Sequence, residues 1–295
     1  MALFSSTEHV AEFAKGLKTA TVGRPLDFRP RTDSTNDLAL HAARAGAPHG
    51  ATFVADLQDR GRGRRGRQWQ SPPGLSLLFS VLTRPDRITL GDAGWIPLLA
   101  GISALEAIRE TTGLELALKW PNDIVLPCAN EPGWRKLGGI LCESVLPARE
   151  DVIPRSSAGA YVVIGIGINV NHSMVELPQM TKAPPASLRI ELKKTVERLE
   201  LFRAMLQRLE ANLSQLEGET TSRELKSKID ASLQRWWTPE IKLHVRPGVE
   251  EDGAAVIEGC FERLDQFGRL VVRTRNGILE FVDAEIVKVT TASAR

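Results

Sequence analysis

The pattern of apolar residues changes at Pro239, and this change limits the fold more than any other feature of the sequence. Before it, runs typical of strands, such as 51–58, alternate with segments of helical spacing, such as 95–112. After it, short strand-like runs are separated by the turn pairs Pro-Gly, Asp-Gly, Phe-Gly and Asn-Gly. The sequence therefore predicts a larger region of strands and helices, 1–238, followed by a small all-β module, 239–295.

Within the larger region, the spacing of apolar residues predicts the individual elements. Helices are expected at 7–18, 33–46, 95–112, 189–217 and 222–236. Strands are expected at 51–58, 75–83, 114–120, 136–146 and 160–170. The last two strands can pair as a hairpin. Pro121 holds the residue before it in an extended conformation, so the chain cannot continue there as a helix.

The composition excludes several classes of protein. The formal net charge is +2, so the chain lacks the broad basic excess of general nucleic-acid-binding proteins. Its three cysteines form no CxxC pair and its five histidines form no HExxH pair, which argues against disulfides and structural metal sites. The N-terminus lacks the apolar core of a signal peptide, and the apolar run 161–171 is too short to span a bilayer. We therefore expect a cytoplasmic protein with no metal ligands of its own and no membrane partner.

Residues 61–69 read GRGRRGRQW and join the expected strands 51–58 and 75–83. The glycines fit the GxGxxG pattern of dinucleotide-binding loops, but Pro72 and Pro73 prevent the helix that this pattern must open. Glycine permits close approach of the backbone to a ligand, and arginine matches carboxylate and phosphate oxygens. The repulsion among the arginines predicts a mobile loop that becomes ordered on binding an acidic ligand. A solvated basic turn and a nucleic-acid-binding patch are the alternatives.

Further motifs occur in order along the chain. They are DSTN at 33–36, KWPND at 119–123, KLGGILCE at 136–143 and GIGINVN at 165–171. Together with Gln58 and the arginine segment, this series resembles biotin–protein ligases over residues 34–171. The resemblance implies an α+β fold related to the catalytic domains of class II aminoacyl-tRNA synthetases, in which a mixed, largely antiparallel sheet carries helices. It also implies that 239–295 forms a small β-barrel of the Src-homology-3 type.

Members of that family join biotin to a lysine of a carrier protein in two steps. Biotin and Mg·ATP first give biotinyl-5′-AMP and pyrophosphate, and the carrier lysine then displaces AMP. The resemblance thus implies biotin, ATP and Mg²⁺ as ligands, and a biotin carboxyl carrier protein of acetyl-CoA carboxylase or a related biotin enzyme as partner. Such chemistry needs cations, because the biotin carboxylate and the α-phosphate must come within reacting distance. The chain is expected to be a monomer or a homodimer.

By this resemblance, a group of hydroxyl and amide side chains binds the ureido head of biotin. The group is Ser34, Thr35, Asn36 and Gln58. These residue types suit a urea, which needs both hydrogen-bond donors and acceptors. From the residues alone, the STN sequence is also a plain N-cap of the helix expected at 33–46.

The arginine segment is expected to line the junction between biotin and the adenylate, with Arg64 and Arg67 closing over the phosphate. Trp69 would support the ordered loop, whereas an ordinary core tryptophan is the alternative. The ligand-binding residues expected in this segment are Gly61, Arg62, Gly63, Arg64, Arg67 and Trp69.

Lys136 matches the family's lysine that contacts the biotin carboxylate and the bridging oxygens, although most lysines are simply exposed. Lys119 is expected near the ATP phosphates. Beside it, Asn122 and Asp123 would help to hold the Mg²⁺ shell or position the carrier lysine, and a tight turn is the alternative. Asp123 is also a candidate base, so the expected catalytic residues are Lys136, Arg64 and Asp123.

Small residues on the expected strands complete the site. Gly139, Gly165 and Gly167 would let the strands pass close to the ligand, and Asn169 would face the nucleotide. A glycine-bearing β-bulge is the alternative interpretation of the GIGIN sequence.

Two other activities compete with this interpretation. Lipoate and octanoate transferases share the scaffold, but those relatives lack GRGRRGR and KWPND. A nucleic-acid-binding protein would use the arginine segment with an affinity that falls steeply with salt. Only about 30 residues precede the STN motif, too few for the N-terminal winged helix with which some bacterial members bind their operator. We therefore expect no operator binding.

Overall fold

The computed structural model describes residues 2–84, 90–128, 133–145, 160–178, 183–238, 241–247, 256–282 and 284–291. The helices are α1 (Thr7–Lys15), α2 (Thr35–Arg44), α3 (Ile96–Thr112), α4 (Leu188–Leu192), α5 (Arg198–Glu217) and α6 (Glu219–Trp236). In the larger region the strands are β1 (Leu26–Arg29), β2 (Thr52–Ala55), β3 (Ser76–Thr83), β4 (Ala117–Lys119), β5 (Asp123–Pro127), β6 (Trp134–Val145) and β7 (Tyr161–Asn169). Those after α6 are β8 (Ile241–Pro247), β9 (Ile257–Leu264), β10 (Leu270–Thr274), β11 (Gly277–Phe281) and β12 (Ala284–Thr291). None of the helices in these ranges has the length and apolar character needed to cross a membrane.

The larger sheet contains seven strands in the order β1-β2-β3-β7-β6-β5-β4. Strands β1 and β2 are parallel, and every other neighbouring pair is antiparallel. The expected hairpin partners 136–146 and 160–170 pair as β6 and β7. The sheet is therefore mixed and largely antiparallel, which confirms the predicted fold class.

Strand β3 lies near the middle of this sheet, and all eight of its residues are buried. On one face, Phe79 packs edge-on against Phe202 of α5, with 5.1 Å between the ring centroids. On the other face, Leu82 lies in a cluster with Ala39 of α2. Helices thus cover both faces, which explains why the strand reads as a nearly continuous apolar run. The hydroxyl of Ser80 interrupts this run on the α2 side.

Two predictions about the elements were wrong or incomplete. The single helix expected at 189–217 is broken into α4 and α5. Asn171 stabilises the break, because its side chain accepts from the N–H of Val196 (2.9 Å) and donates to the carbonyl of the same residue (3.0 Å). The backbone of Val196 is thereby satisfied outside a helix. Strands β1 and β5 were not predicted, since runs of four and five residues carry little periodicity.

The smaller sheet has five antiparallel strands in the order β11-β10-β9-β8-β12, as expected of a separate β module. It contacts the larger region through Trp95 and Trp120, whose indole N–H groups donate to the carbonyls of Gln266 (2.9 Å) and Gly268 (3.1 Å). One hydrophobic cluster also runs from the larger region into this module. The division of the chain into domains at 238 and 239 therefore stays a prediction.

Candidate active site

A cavity of about 820 Å³ brings the expected site residues together. It is bounded by the start of α2, the segment 61–69, strands β5 to β7, and strands β8 and β12 of the smaller sheet. Every expected site residue lines it except Gly61. Motifs that are as far apart in the sequence as Ser34 and Asn169 thus converge on one space.

Hydroxyl and amide groups form a network at one end of the cavity. The side-chain carbonyl of Gln58 accepts from the backbone N–H (2.7 Å) and the hydroxyl (3.0 Å) of Thr35. The hydroxyl of Ser80 lies 2.7 Å from Thr35 Oγ1 and 2.6 Å from Asn36 Oδ1. Ser34 occupies the N-cap position of α2, but its hydroxyl makes no capping hydrogen bond. The plain-cap interpretation therefore does not account for the Ser34 side chain.

Glu143 ties this network to the arginine segment. Its carboxylate accepts from Asn36 Nδ2 (2.7 Å) and from Arg62 Nη2 (2.9 Å), and Arg62 also donates to Asp37 (2.6 Å). On the neighbouring strand, Gly165 leaves room for Asn36, because a Cβ there would lie 2.1 Å from Asn36 Oδ1. This glycine is required by close packing against the polar network.

The segment 61–69, hereafter the arginine hairpin, folds back on itself. The N–H of Gly63 donates to the carbonyl of Arg67 at 2.7 Å. At the tip, Arg65 and Gly66 have φ angles of 57° and 69°, the left-handed conformation that tight hairpin turns require. The turn geometry explains why residue 66 is a glycine. The expected ordering of this segment on ligand binding stays a prediction.

Gly61 lies at the base of the hairpin instead of lining the cavity. Its carbonyl accepts from the N–H of Trp69 (2.8 Å), and a Cβ at Gly61 would fall 2.4 Å from the Trp69 carbonyl oxygen. The half-buried ring of Trp69 lies against Gly167, where a Cβ would approach it to 2.9 Å. Lys136 Nζ lies 6.0 Å from the centroid of the same ring. The ring of Trp69 therefore packs against Gly167, two residues along β7 from the glycine that contacts Asn36, and it lies close to Lys136.

The other end of the cavity is cationic. Lys136 Nζ donates to Asp123 Oδ1 at 2.5 Å, and Lys119 Nζ lies 3.5 Å from Asp123 Oδ2. Burial acts to raise the pKa of Asp123, but the charges of Lys136 and Lys119 outweigh it and hold that pKa below its usual value. Burial lowers the pKa of Lys119, against the opposing attraction of Asp123. Because its lowered pKa makes Asp123 a weak base, it suits positioning of a cation better than proton abstraction.

The hairpin also contacts the rest of the cavity. Arg64 Nη1 donates to Asn122 Oδ1 (3.3 Å), whose amide in turn donates to the carbonyl of Ile140 (2.6 Å). Arg67 Nη2 donates to both carboxylate oxygens of Glu285, each at 2.8 Å. Glu285 belongs to β12, so the smaller sheet contributes directly to this site.

Several residues of the site were missed from the sequence. Ser80 carried a signal, as a hydroxyl within an apolar strand, and Glu143 ends the motif KLGGILCE. Glu285 and Arg246 carried no signal in the sequence, because they reach the cavity only through the docking of the smaller sheet. Cys142, although close by, is no candidate nucleophile, because burial raises the pKa of its thiol to about 12.

Known proteins resemble this chain over the same residues. Residues 28–169 match the biotin/lipoate A/B protein ligase family. The bifunctional ligase/repressor BirA of Bacillus subtilis is 35% identical over 196 residues, which are 66% of this chain and 56% of that protein. The chain thus spans little more than half the length of that relative. The biotin–[acetyl-CoA-carboxylase] ligase of Paracoccus denitrificans is 30% identical over 266 residues, 87% of this chain and 97% of that protein.

Among solved structures, the biotin protein ligase from Aquifex aeolicus in complex with biotin and ATP superposes with a TM-score of 0.69 at 27% identity. The match covers 90% of this chain and 98% of that one. It therefore extends well beyond the residues that carry the motifs.

Proposed function

The chain belongs to the biotin/lipoate A/B protein ligase family, and from this premise we propose that it is a biotin–protein ligase. It makes biotinyl-5′-AMP and pyrophosphate from biotin and Mg·ATP. It then transfers biotin to a lysine of a biotin carboxyl carrier protein. The observation that carries the proposal is a single cavity lined both by the hydroxyl and amide groups of Thr35, Asn36 and Gln58 and by Lys119 and Lys136, with the ring of Trp69 close to Lys136.

The two ends of the cavity bind different parts of the reactants. The network around Thr35, Asn36 and Gln58 offers the donors and acceptors that a ureido group needs. At the cationic end, Lys136 contacts the biotin carboxylate, and Arg64 binds the phosphate to which that carboxylate is joined. These cations offset the repulsion between the two anions and stabilise the charge that builds on phosphorus.

The remaining expected residues serve the nucleotide and the carrier. Lys119, Arg67 and Asn169 line the cavity on the nucleotide side of the proposed arrangement. Mg²⁺ enters with ATP, and the described residues contain no group of three or more metal-ligating side chains. Asp123 and Asn122 would supply at most a minority of its ligands, with phosphates and water supplying the rest. Asp123 then positions the carrier lysine, which must lose a proton before it attacks.

A lipoate or octanoate transferase on the same scaffold is the alternative. The rings and chains of those acids carry no urea, so a site for them has no need of a buried network of hydroxyl and amide groups. Here Thr35 and Asn36 are both buried and joined by Ser80. The urea of biotin can exchange hydrogen bonds with these groups, whereas a hydrocarbon chain cannot, which favours biotin.

Incubation with radiolabelled biotin, Mg·ATP and a biotin-carrier domain tests the proposal. We expect label on the carrier, and none on a carrier whose target lysine is replaced by arginine. Labelled octanoate or lipoate should not replace biotin. If biotin neither binds nor supports ATP–pyrophosphate exchange, while the protein binds DNA with an affinity that falls steeply with salt, the nucleic-acid alternative replaces this one.

A further inference from the structure

We propose that Arg246 binds the terminal phosphates of ATP and the pyrophosphate that leaves, an inference that rests on the ligase function proposed above. Arg246 lies on β8 of the smaller sheet and lines the cavity. Arg246 lies outside all of the sequence motifs, and it has no role in the mechanism proposed above. Its position, its neighbours and its charge each favour a role in binding a polyanion.

The register of the smaller sheet places Arg246 beside the arginine hairpin. In the antiparallel pair of β8 and β12, Arg246 stands directly opposite Glu285, so both side chains leave the same face of the sheet. The neighbours Val245 and Ile286 are buried in the core on the other face. Glu285 accepts two hydrogen bonds from Arg67. Arg246 therefore lies at the rim of the cavity where the hairpin meets the smaller sheet.

The charges at this rim leave Arg246 open to an anion. Lys119 and Lys136 share Asp123, and the hairpin arginines contact Glu285. Within the described part of the chain, by contrast, Arg246 has no hydrogen bond and no ion pair, although it faces the cavity. A guanidinium group is permanently charged and presents a fork that matches phosphate oxygens. Among the ligands of the proposed reaction, the polyphosphate of ATP carries the negative charge that such a guanidinium group binds.

The terminal phosphates fit this position better than the α-phosphate does. The α-phosphate must lie close to the biotin carboxylate, which the proposal places at Lys136 on β6. Arg246 comes from the smaller sheet, where its cross-strand neighbour Glu285 contacts Arg67, whereas Lys136 lies in the larger sheet beside Asp123. In the reaction, a carboxylate oxygen of biotin bonds to the α-phosphorus, and the bond from that phosphorus to the β-bridging oxygen breaks. Pyrophosphate leaves with that electron pair, and Arg246 stabilises the charge that it carries away.

This assignment separates the two half-reactions. Biotinyl-5′-AMP has lost the β- and γ-phosphates, so transfer from it to the carrier should not depend on Arg246. The test therefore compares Arg246→Ala and Arg246→Lys in the full-length protein. Lys242→Ala is the matched control, because Lys242 lies on the same strand and the same face but does not line the cavity.

We expect Arg246→Ala to raise the KM for ATP in biotin-dependent ATP–pyrophosphate exchange by about tenfold, and to weaken pyrophosphate inhibition by a similar factor. Arg246→Lys should recover part of both losses, because it keeps the charge without the fork. Biotin affinity, and single-turnover transfer from supplied biotinyl-5′-AMP to the carrier, should equal those of wild type. Lys242→Ala should change none of these quantities.

Two results would overturn the assignment. One is an unchanged KM for ATP and unchanged pyrophosphate inhibition in Arg246→Ala. The other is an equal loss in both half-reactions, in Arg246→Ala and Arg246→Lys alike, which would make Arg246 a structural residue. The proposed function fails in a different way, since the wild-type protein would then form no biotinyl-5′-AMP at all.

Discussion

At the residue scale, Asp123 sets the charge of the cationic end because it lies between two ammonium groups. Burial alone would favour its neutral form, and the lysine charges keep its pKa low. Without this carboxylate, the charge of Lys136 would repel that of Lys119, whose pKa burial already lowers. The carboxylate of Asp123 therefore offsets the repulsion between the two ammonium charges, so both lysines can lie beside anionic ligands.

Lys136→Ala should reduce biotin-dependent ATP–pyrophosphate exchange by about 100-fold or more, because the cation that offsets the joined anions is lost. The circular dichroism spectrum and the unfolding midpoint should stay close to those of wild type. Lys18→Ala, at an exposed lysine far from the motifs in sequence, is the control and should exchange normally. Exchange within a few-fold of wild type in Lys136→Ala would remove this lysine from the site.

His172 makes the stability of the protein sensitive to mild acid. The side chain is fully buried, and its Nε2 lies 3.1 Å from the hydroxyl of Ser71. Burial lowers the pKa of His172 from 6.5 to about 4, although the charge of Glu176 acts to raise it. Between these values the unfolded chain binds the proton and the folded chain does not. Stability therefore falls as pH drops from 6.5 towards 4.

From pH 7.5 to pH 5, this histidine should remove about 2 kcal/mol of unfolding free energy. His172→Gln should lose correspondingly less stability over the same interval, as measured by urea unfolding at both pH values. His41→Gln changes an exposed histidine and should retain the wild-type dependence. Parallel losses in His172→Gln and wild type would show that His172 does not titrate in this way.

At the scale of elements, the arginine hairpin combines its own hydrogen bonds with contacts to four other parts of the chain. Arg62 contacts α2 and β6, Arg64 contacts the turn before β5, and Arg67 contacts β12. The tight turn determines the shape of the hairpin, and these contacts hold it in position over the cavity. A cover held from several sides can retain a reactive intermediate, because escape requires that all of these contacts open.

Arg64→Ala should therefore let biotinyl-5′-AMP escape into solution several-fold faster, since the hairpin loses its contact with Asn122 and with the phosphate. The measurement is the fraction of adenylate found free after rapid filtration, in the absence of carrier. Arg60→Ala removes an exposed arginine just outside the hairpin and should retain adenylate normally. Equal retention in both variants would exclude Arg64 as part of the cover.

At the scale of the whole molecule, the smaller sheet is both a packing partner and a part of the site. The indoles of Trp95 and Trp120 hold the turn at 266–268, and Gly94 allows this approach because a Cβ there would lie 2.3 Å from the Phe267 carbonyl oxygen. The same sheet carries Glu285 into the cavity. Docking of the sheet and formation of the nucleotide side are therefore coupled.

Trp120→Phe tests this coupling, because it removes the indole N–H that donates a hydrogen bond to the Gly268 carbonyl. We expect a loss of about 1–2 kcal/mol in unfolding free energy by urea denaturation. The KM for ATP should rise while biotin affinity stays constant, since the polar network lies wholly in the larger region. Trp236→Phe, at a tryptophan whose indole makes no hydrogen bond among the described residues, should alter neither. A larger effect on biotin than on ATP would contradict the proposed division of the cavity.

The sequence by itself determined the parts of this protein that neighbouring residues encode. Periodicity indicated most helices and strands, and the motifs named residues that, Gly61 apart, line the cavity. Gly165 and Gly167 pack closely against Asn36 and Trp69, whereas their expected approach to the ligand stays a prediction.

Only the tertiary structure decided what depends on contacts between distant residues. The break between α4 and α5 needs Asn171, the hairpin meets Glu285 across 218 positions, and Arg246 reaches the cavity through its register with β12. Local patterns report backbone preference and burial, which act within a few residues. Which charged groups meet across a cavity is set by the packing of whole sheets, and no local pattern carries that information.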